Sequence, residues 1–461
     1  MIRACASLFI TVPVSTYYLG PKDFGIVGII TVFSALIVPL SAIGTGWVIG
    51  ANYYKLKQQE QGELIFNTLL VEVLIRSLWI FIFAGAGIFL LPVLIKSYEK
   101  SFLLYFWIFL LAEWLNGVWE IVSYTIVLQK KSRTYAFLEI TQILSGVIFL
   151  IVCLVVLHLK TISLVLANLG NSLAGFLFSL IYIRKYIVRK IRKKWINEAL
   201  RLSLPLVPVN LMNIVSNSID RFFIERWLGL SQLGIYTHSL SYKNMFMMST
   251  RAFSKTSSPE MLEGMSCNDN SKLDYTRAFL KKWFGFLTIA GTAVALFSKE
   301  AVAFLTHGKF TAAAPLVSLW FMILLIYSFG IPYNQFLFIH KKIKFVLASE
   351  VILGFVSWLF IALAIKFFGL KGAVVSVLLY FLFLYLIRKG YAMHLGCVDF
   401  EGIYFWASLA LIYVLIILNI SSLAFYIRIL IYFLLSITVL LVFGLFNIRS
   451  FAKNIWKCSN W

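Results

Sequence analysis

Residues 69–95 read LLVEVLIRSLWIFIFAGAGIFLLPVLI. This run carries only two charged residues, Glu72 and Arg76, and exceeds the ~20 residues a helix needs to cross the hydrocarbon of a bilayer. A helix satisfies every backbone group inside the segment, which lipid demands. Similar runs recur at about 1–18, 24–50, 102–128, 137–157, 161–183, 203–226, 233–253, 283–305, 315–339, 345–365, 372–394, 403–419 and 425–447. Composition agrees: of 461 residues 61% are hydrophobic, 17% aromatic and 13% charged, and mean hydropathy is +0.90. A soluble domain carries roughly twice that charge. The fold class expected is all-α, a polytopic membrane protein of about 14 transmembrane helices. The first span is short and begins at Met1, so either the true start lies upstream or the span is trimmed.

The net charge of +22 does not point to nucleic acid, because the basic residues sit in short links between spans. Alternating from a cytoplasmic N-terminus, the links assigned inside hold 27 of the 41 Lys and Arg residues, and the outside links with their flanks hold ten. Arg3, Arg76, Arg221 and Lys243 fall within spans. This positive-inside bias predicts an even number of spans, with both termini in the cytoplasm. The densest run, Arg184 to Arg201, is read as an orientation signal in contact with anionic membrane lipids.

Other chemistries find no support. The cysteines at 5, 153, 267, 397 and 458 form no C-x-x-C pair, and the histidines form no H-x-x-x-H set, so neither a disulfide framework nor a metal site is expected. No phosphate-binding G-x-x-x-x-G-K-[ST] loop appears. The opening residues do not read as a cleavable signal peptide. Catalytic residues and cofactors are therefore both expected to be none.

The chain repeats itself. Leu19-Gly20-Pro21-Lys22-Asp23-Phe24-Gly25-Ile26 and Leu228-Gly229-Leu230-Ser231-Gln232-Leu233-Gly234-Ile235 both read L-G-x-x-x-[FL]-G-I, displaced by 209. Lys130-Lys131-x-Arg133 with Glu139 matches Lys341-Lys342-x-Lys344 with Glu350, displaced by 211, as does Leu159-Lys160 with Leu370-Lys371. The displacement covers six spans, so the halves share one orientation. That is a parallel repeat about an axis along the membrane normal, a transporter arrangement.

These motifs carry a resemblance to a family. The pattern Tyr18 to Ile26, Leu204-Pro205 with Pro208, and Asp220-Arg221 followed by Leu233-Gly234-Ile235-Tyr236 resemble the polysaccharide-biosynthesis flippases. These are lipid-linked oligosaccharide translocases of the multidrug/oligosaccharidyl-lipid/polysaccharide exporter superfamily. The resemblance implies two six-helix lobes, 1–187 and 203–396, joined by a basic cytoplasmic linker at 188–202. Two extra helices and a basic tail follow at 397–461. It implies a cavity that opens alternately to each side, and an undecaprenyl-diphosphate-linked oligosaccharide moved across the inner membrane for O-antigen or capsule synthesis. Glycan polymerase and glycosyltransferase partners follow from such a role.

Polar residues inside the spans mark the candidate site. Ionisable groups at a helix centre face a lumen or a partner because lipid disfavours them by a few kcal/mol. Asn210, Asn213, Asn217, Asp220 and Arg221 share one helical face, which suits either a wet cavity or hydrogen bonding between helices. Glu225, at i+4, is a rival partner for Arg221. Asn244 lies on a polar face of the next span. Arg76 has the geometry of a diphosphate ligand, with self-pairing to Glu72 as the default. Glu113 and Glu120, one heptad apart, are candidates for coupling to a proton or cation, or for separate pairing with bases of other helices. Gly46-x-x-x-Gly50 is expected to serve close packing. Pro39, Pro205, Pro208 and Pro332 are candidate hinges or static kinks.

Two alternatives remain. A cation-coupled multidrug exporter of the same fold needs a strongly acidic cavity, which the intramembrane Arg3, Arg76, Arg221 and Lys243 oppose. A membrane glycan polymerase or ligase needs a substantial outer loop. The longest non-apolar loop, at about 254–281, is assigned to the cytoplasm.

Overall fold

The computed structural model describes residues 10–35, 40, 45–186, 188, 190–203, 207–267, 270–340, 342–400, 403–417 and 423–443. Among these the secondary structure is helical throughout, with no strand. The expectations placed on Arg3, Pro39 and Pro205, and on the side chains of Pro208 and Gly46, lie outside the described residues.

The helices are α1 (Val12–Tyr18), α2 (Pro21–Ala35), α3 (Thr45–Asn52), α4 (Gln58–Leu94), α5 (Lys100–Leu128), α6 (Ser132–Ile151), α7 (Ile162–Tyr186) and α8 (Lys193–Ser203). They continue with α9 (Val207–Leu228), α10 (Leu230–Cys267), α11 (Asn270–Thr306), α12 (Ala314–Ile339), α13 (Ile343–His394), α14 (Ile403–Ile417) and α15 (Phe425–Val442). Among the described residues seven helices are long and apolar enough to cross a membrane, and α14 and α15 are shorter apolar helices. The chain is a multi-pass membrane protein. Helices stand at every expected span, although the count of 14 crossings stays an expectation. The 52-residue α13 covers two expected spans, and it breaks at Gly369, whose φ of 59° and ψ of −142° suit glycine alone. Helix α4 begins at Gln58, earlier than the apolar run at 69, because Gln58 to Gly62 continue the helix as a polar turn. Its first turn holds Glu60, which accepts the Lys57 N–H at 3.4 Å. At ~1.5 Å per residue, α4 outreaches the hydrocarbon.

The chain folds as two compact units divided between His238 and Ser239, inside α10. The first unit takes in α9, which packs on α2.

Within the first unit, α5 packs on α2, α4 and α7, and α6 packs on α7. One core cluster gathers Ile49, Tyr53, Ile65, Leu69, Val118 and Ile121, and a second gathers Leu19, Leu150 and Leu154. Between transmembrane helices lipid competes for apolar contact, so close approach at small residues and hydrogen bonds do much of the joining. Gly50 lies against Tyr124 of α5. Asp23, in the first turn of α2, accepts the Gly20 N–H at 2.9 Å and the Thr161 hydroxyl ahead of α7.

The repeated motif meets its own copy here. A Cβ on Gly25 would overlap the Leu230 carbonyl, and a Cβ on Gly234 would overlap the Pro21 carbonyl. At the displacement of 209, Pro21 corresponds to Leu230 and Gly25 to Gly234, so the contact is reciprocal. Gly28 lies against Thr237, its own counterpart. Reciprocal contact of this kind is what a two-fold relation produces. Gly229, at φ 84°, ends α9 with its N–H bonded to Ile224 and Glu225 carbonyls at 3.1 Å, and lets α10 start at once.

In the second unit α12 is the centre. Trp320, Phe329 and Tyr333 are fully buried, and α11, α13 and α14 pack around them. Phe284 of α11 stacks on Phe329 with ring centroids 3.7 Å apart. Trp320 donates to Ser239 at 3.0 Å, and Thr288 to Ser408 at 2.9 Å. Pro332 lies buried within α12. By contrast α13 exposes Phe355, Leu359, Phe360, Phe367 and Phe368, a surface suited to lipid tails.

Candidate functional site

Arg76 is 1% exposed, between α4 and α5. Its Nη2 and Nε donate to Glu72 Oε1 at 2.7 and 3.1 Å. Nη2 also reaches Glu120 Oε2 at 3.2 Å, and Nη1 donates to the Glu113 carbonyl at 2.7 Å. The guanidinium fits because Gly117 leaves the space that a Cβ would fill. Self-pairing with Glu72, the default at i,i+4, is therefore present, and α5 adds a second carboxylate and a carbonyl. Arg76 is saturated as a brace between two helices. On α5, Glu113 and Asn116 are half-buried, while Glu120 and Tyr124 are exposed. The stripe is open along one side, with Arg76 behind it.

Helix α9 carries the other stripe. Asn210, Asn213 and Asn217 lie on it, with side chains outside the described residues. Asp220 is buried; it accepts the Arg221 N–H at 2.8 Å and the Tyr236 hydroxyl from α10. Glu225 is fully buried and accepts the backbone N–H groups of Ser97 at 2.9 Å and Lys96 at 3.3 Å. It thus holds the α4–α5 connection, and no Glu225–Arg221 ion pair forms, contrary to the i,i+4 rival. Among the described residues no carboxylate lies within ion-pair distance of the half-buried Arg221 guanidinium, whose Nε is buried without a hydrogen-bond partner. Asn244 is exposed on α10, in the second unit.

Two further buried arginines stand inside the expected spans 372–394 and 425–447 and were not among the candidate site residues. Arg388 of α13 bonds Asn334 Oδ1 at 2.8 Å, the Val346 carbonyl at 3.0 Å and Glu350 at 2.9 Å. Arg428 of α15 bonds Glu300 at 2.5 Å and the Leu296 carbonyl at 2.8 Å. An arginine set in an apolar run, with an acid near the end of another span, was the available signal. Lys243 lies over the Trp320 ring, 4.6 Å from its centroid. Among the described residues no three His, Cys, Asp or Glu side chains gather as metal ligands.

Comparison with known proteins fits this arrangement. A family model described as "Polysaccharide biosynthesis protein" matches residues 18–315. The chain belongs to that polysaccharide biosynthesis protein family. Among solved structures, an inward-facing multidrug resistance MATE family transporter of the MOP superfamily is 12% identical, with a TM-score of 0.68 over 84% of this chain and 94% of that one. The lipid II flippase MurJ, in an inward closed conformation, is 16% identical, with a TM-score of 0.65 over 98% of both chains. The fold is therefore that of the MATE and MurJ structures. A search of curated proteins finds no match.

Proposed function

We propose that this protein is a flippase that moves an undecaprenyl-diphosphate-linked oligosaccharide repeat unit from the cytoplasmic to the periplasmic leaflet of the inner membrane. It works by alternating access and serves the synthesis of a surface polysaccharide such as O-antigen or capsule. Family membership supports the glycan, and the MATE- and MurJ-like fold supports transport in place of catalysis. The observation that carries the diphosphate is Arg221. Arg76, Arg388 and Arg428 each hold a glutamate, whereas Arg221 meets no carboxylate among the described residues. A doubly charged headgroup leaving water needs such a cation, and the planar guanidinium matches phosphate oxygens two at a time.

In this reading Asp220 and Tyr236 fix the backbone beside Arg221, and the asparagines at 210, 213 and 217, with Asn244, offer hydrogen bonds to sugar hydroxyls. Arg76 orders α4 and α5 and acts on transport only through them. The half-exposed Glu120 and the neighbouring Glu113 favour coupling to a proton or cation, as the exporter alternative also requires. Both termini and the 184–201 and 254–281 links face the cytoplasm, and the glycan polymerase and glycosyltransferases act on either side of the transport step.

Removal of the protein should leave the lipid-linked glycan in the cytoplasmic leaflet. Wild type should restore export, Arg221→Lys should restore part, and Arg221→Ala little. A normal leaflet distribution without the protein would sink the flippase reading. Full export by Arg221→Ala, in a folded protein, would sink only the capture of diphosphate by Arg221.

A further inference from the structure

Within the basic run at 184–201, α8 forms a pinned helix with one free face. Trp195 and Ala199 of α8 are buried against Val48, Leu64 and Val71, with Ile196 and Leu200 beside them. The apolar face of α8 is thus spent on α3 and α4 and cannot insert into a bilayer. Hydrogen bonds fix the same segment. Asn67 donates to the Lys190 carbonyl at 2.8 Å and accepts the Arg192 N–H at 2.9 Å. Asn52 donates to Glu198 at 2.8 Å, and Arg192 pairs with the buried Glu63.

Both local acids are therefore engaged, Glu63 by Arg192 and Glu198 by Asn52. Lys190, Lys193, Lys194 and Arg201 are exposed, and among the described residues none is in an ion pair. Lys194, exposed, lies with its ammonium 4.7 Å from the centroid of the Trp195 ring. Arg189 and the side chain of Lys185 lie outside the described residues.

We propose that this exposed face of α8, with Lys190 ahead of it, binds the phosphate headgroups of anionic phospholipids in the cytoplasmic leaflet. Charge complementarity selects the ligand: four cations stand on a fixed scaffold whose acids are neutralised. Each basic residue near an anionic leaflet contributes about fivefold to binding. Because the helix is pinned before it meets lipid, no ordering of the segment opposes binding. The inference does not depend on what the protein transports.

The test uses the full-length protein in nanodiscs and native mass spectrometry of retained phosphatidylglycerol. Neutralising all four residues (Lys190→Gln, Lys193→Gln, Lys194→Gln and Arg201→Gln) should lower retention at least about tenfold. Neutralising Lys160, Lys299, Lys366 and Lys371, exposed lysines of the links assigned outside, should leave retention unchanged. If the fourfold variant does not fold, Lys193→Gln with Lys194→Gln should still lower retention several-fold. Equal retention by the α8 and control variants would overturn the proposal. So would loss of a polyprenyl diphosphate with phosphatidylglycerol retained, which would assign the face to the transported lipid.

Discussion

Arg76 and Arg221 lie in the same compact unit and have opposite surroundings. Arg76 is ringed by Glu72, Glu120 and the Glu113 carbonyl, on two helices that close over it at Gly117. Arg221 stands half-buried beside Asp220, whose carboxylate is already taken by a backbone N–H and by Tyr236. The nearest helical candidate for pairing, Glu225, has turned to the α4–α5 connection. A buried charge with its countercharges in place braces the fold. A charge without one is stable only where water or a ligand can reach it. The same residue type therefore has a structural meaning in one place and a functional one in the other.

The largest effect should come from breaking the saturated site. Arg76→Ala strips the countercharge from buried Glu72 and should cost about 3–5 kcal/mol. In detergent the variant should lose most of its folded fraction by size exclusion. Arg76→Met combined with Glu72→Gln should recover much of it, because no unpaired charge then remains on α4. If Arg76→Ala stays folded and only transport falls, Arg76 belongs with Arg221 and the contrast fails.

Next comes the joint that carries Arg221. Gly234→Val would drive its side chain into the Pro21 carbonyl, where no flexible side chain can give way. A loss of about 1–3 kcal/mol is expected, read as a lower Tm. The counterpart in the other region is Gly85 on α4, which has open space around it. There Gly→Ala should be neutral or stabilise by up to about 1 kcal/mol through helix propensity. Equal losses at both positions would show that the reciprocal contact of the repeated motif has no special weight.

Much of this was legible in the sequence. Hydropathy placed a helix at each expected span, because lipid permits little else, and the displacement of 209 paired Gly25 with Gly234 as counterparts, though not as a contact. The Glu72–Arg76 pair was legible because i,i+4 geometry is local. What escaped depends on distant partners. Nothing near Glu225 in the chain announces the N–H groups of Lys96 and Ser97, and nothing near Arg428 announces Glu300. The turn of Glu225 away from Arg221 was the decisive fact, and it rests on a contact 128 residues away in sequence.

Arg221→Ala should separate stability from transport. With no carboxylate partner to orphan among the described residues, stability should change little, by about 0.5 kcal/mol or less, as for a substitution away from packed features, and the Tm should barely move. Glycan export should fall at least about tenfold, the loss of roughly 1.4 kcal/mol expected for one charge-assisted contact to phosphate. Arg221→Lys should keep part of the activity. A large drop in Tm would instead assign Arg221 to a structural pairing like that of Arg76.

A small effect on stability is also expected at the edge of the saturated site, where a test decides whether that site is only structural. Glu120 is the half-exposed arm of the Arg76 cluster, with 47% of its side chain accessible. Glu120→Gln keeps the shape and a hydrogen-bond acceptor for Arg76 Nη2, and Glu72 still neutralises the guanidinium. Solvent screening of an exposed arm keeps the expected loss below about 1 kcal/mol. On a purely structural reading, transport then stays close to wild type at every external pH. If Glu120 carries a proton or cation between the two sides, Glu120→Gln folds normally yet exports poorly, and its residual export no longer follows the ion gradient. Export by the variant, measured with the proton and sodium gradients collapsed in turn, distinguishes these outcomes. A gradient-insensitive Glu120→Gln beside a gradient-driven wild type would give the Arg76 region a transport role through its carboxylate while leaving its arginine a brace. The contrast with Arg221 would then be sharper, with one site handling the coupling ion and the other the diphosphate.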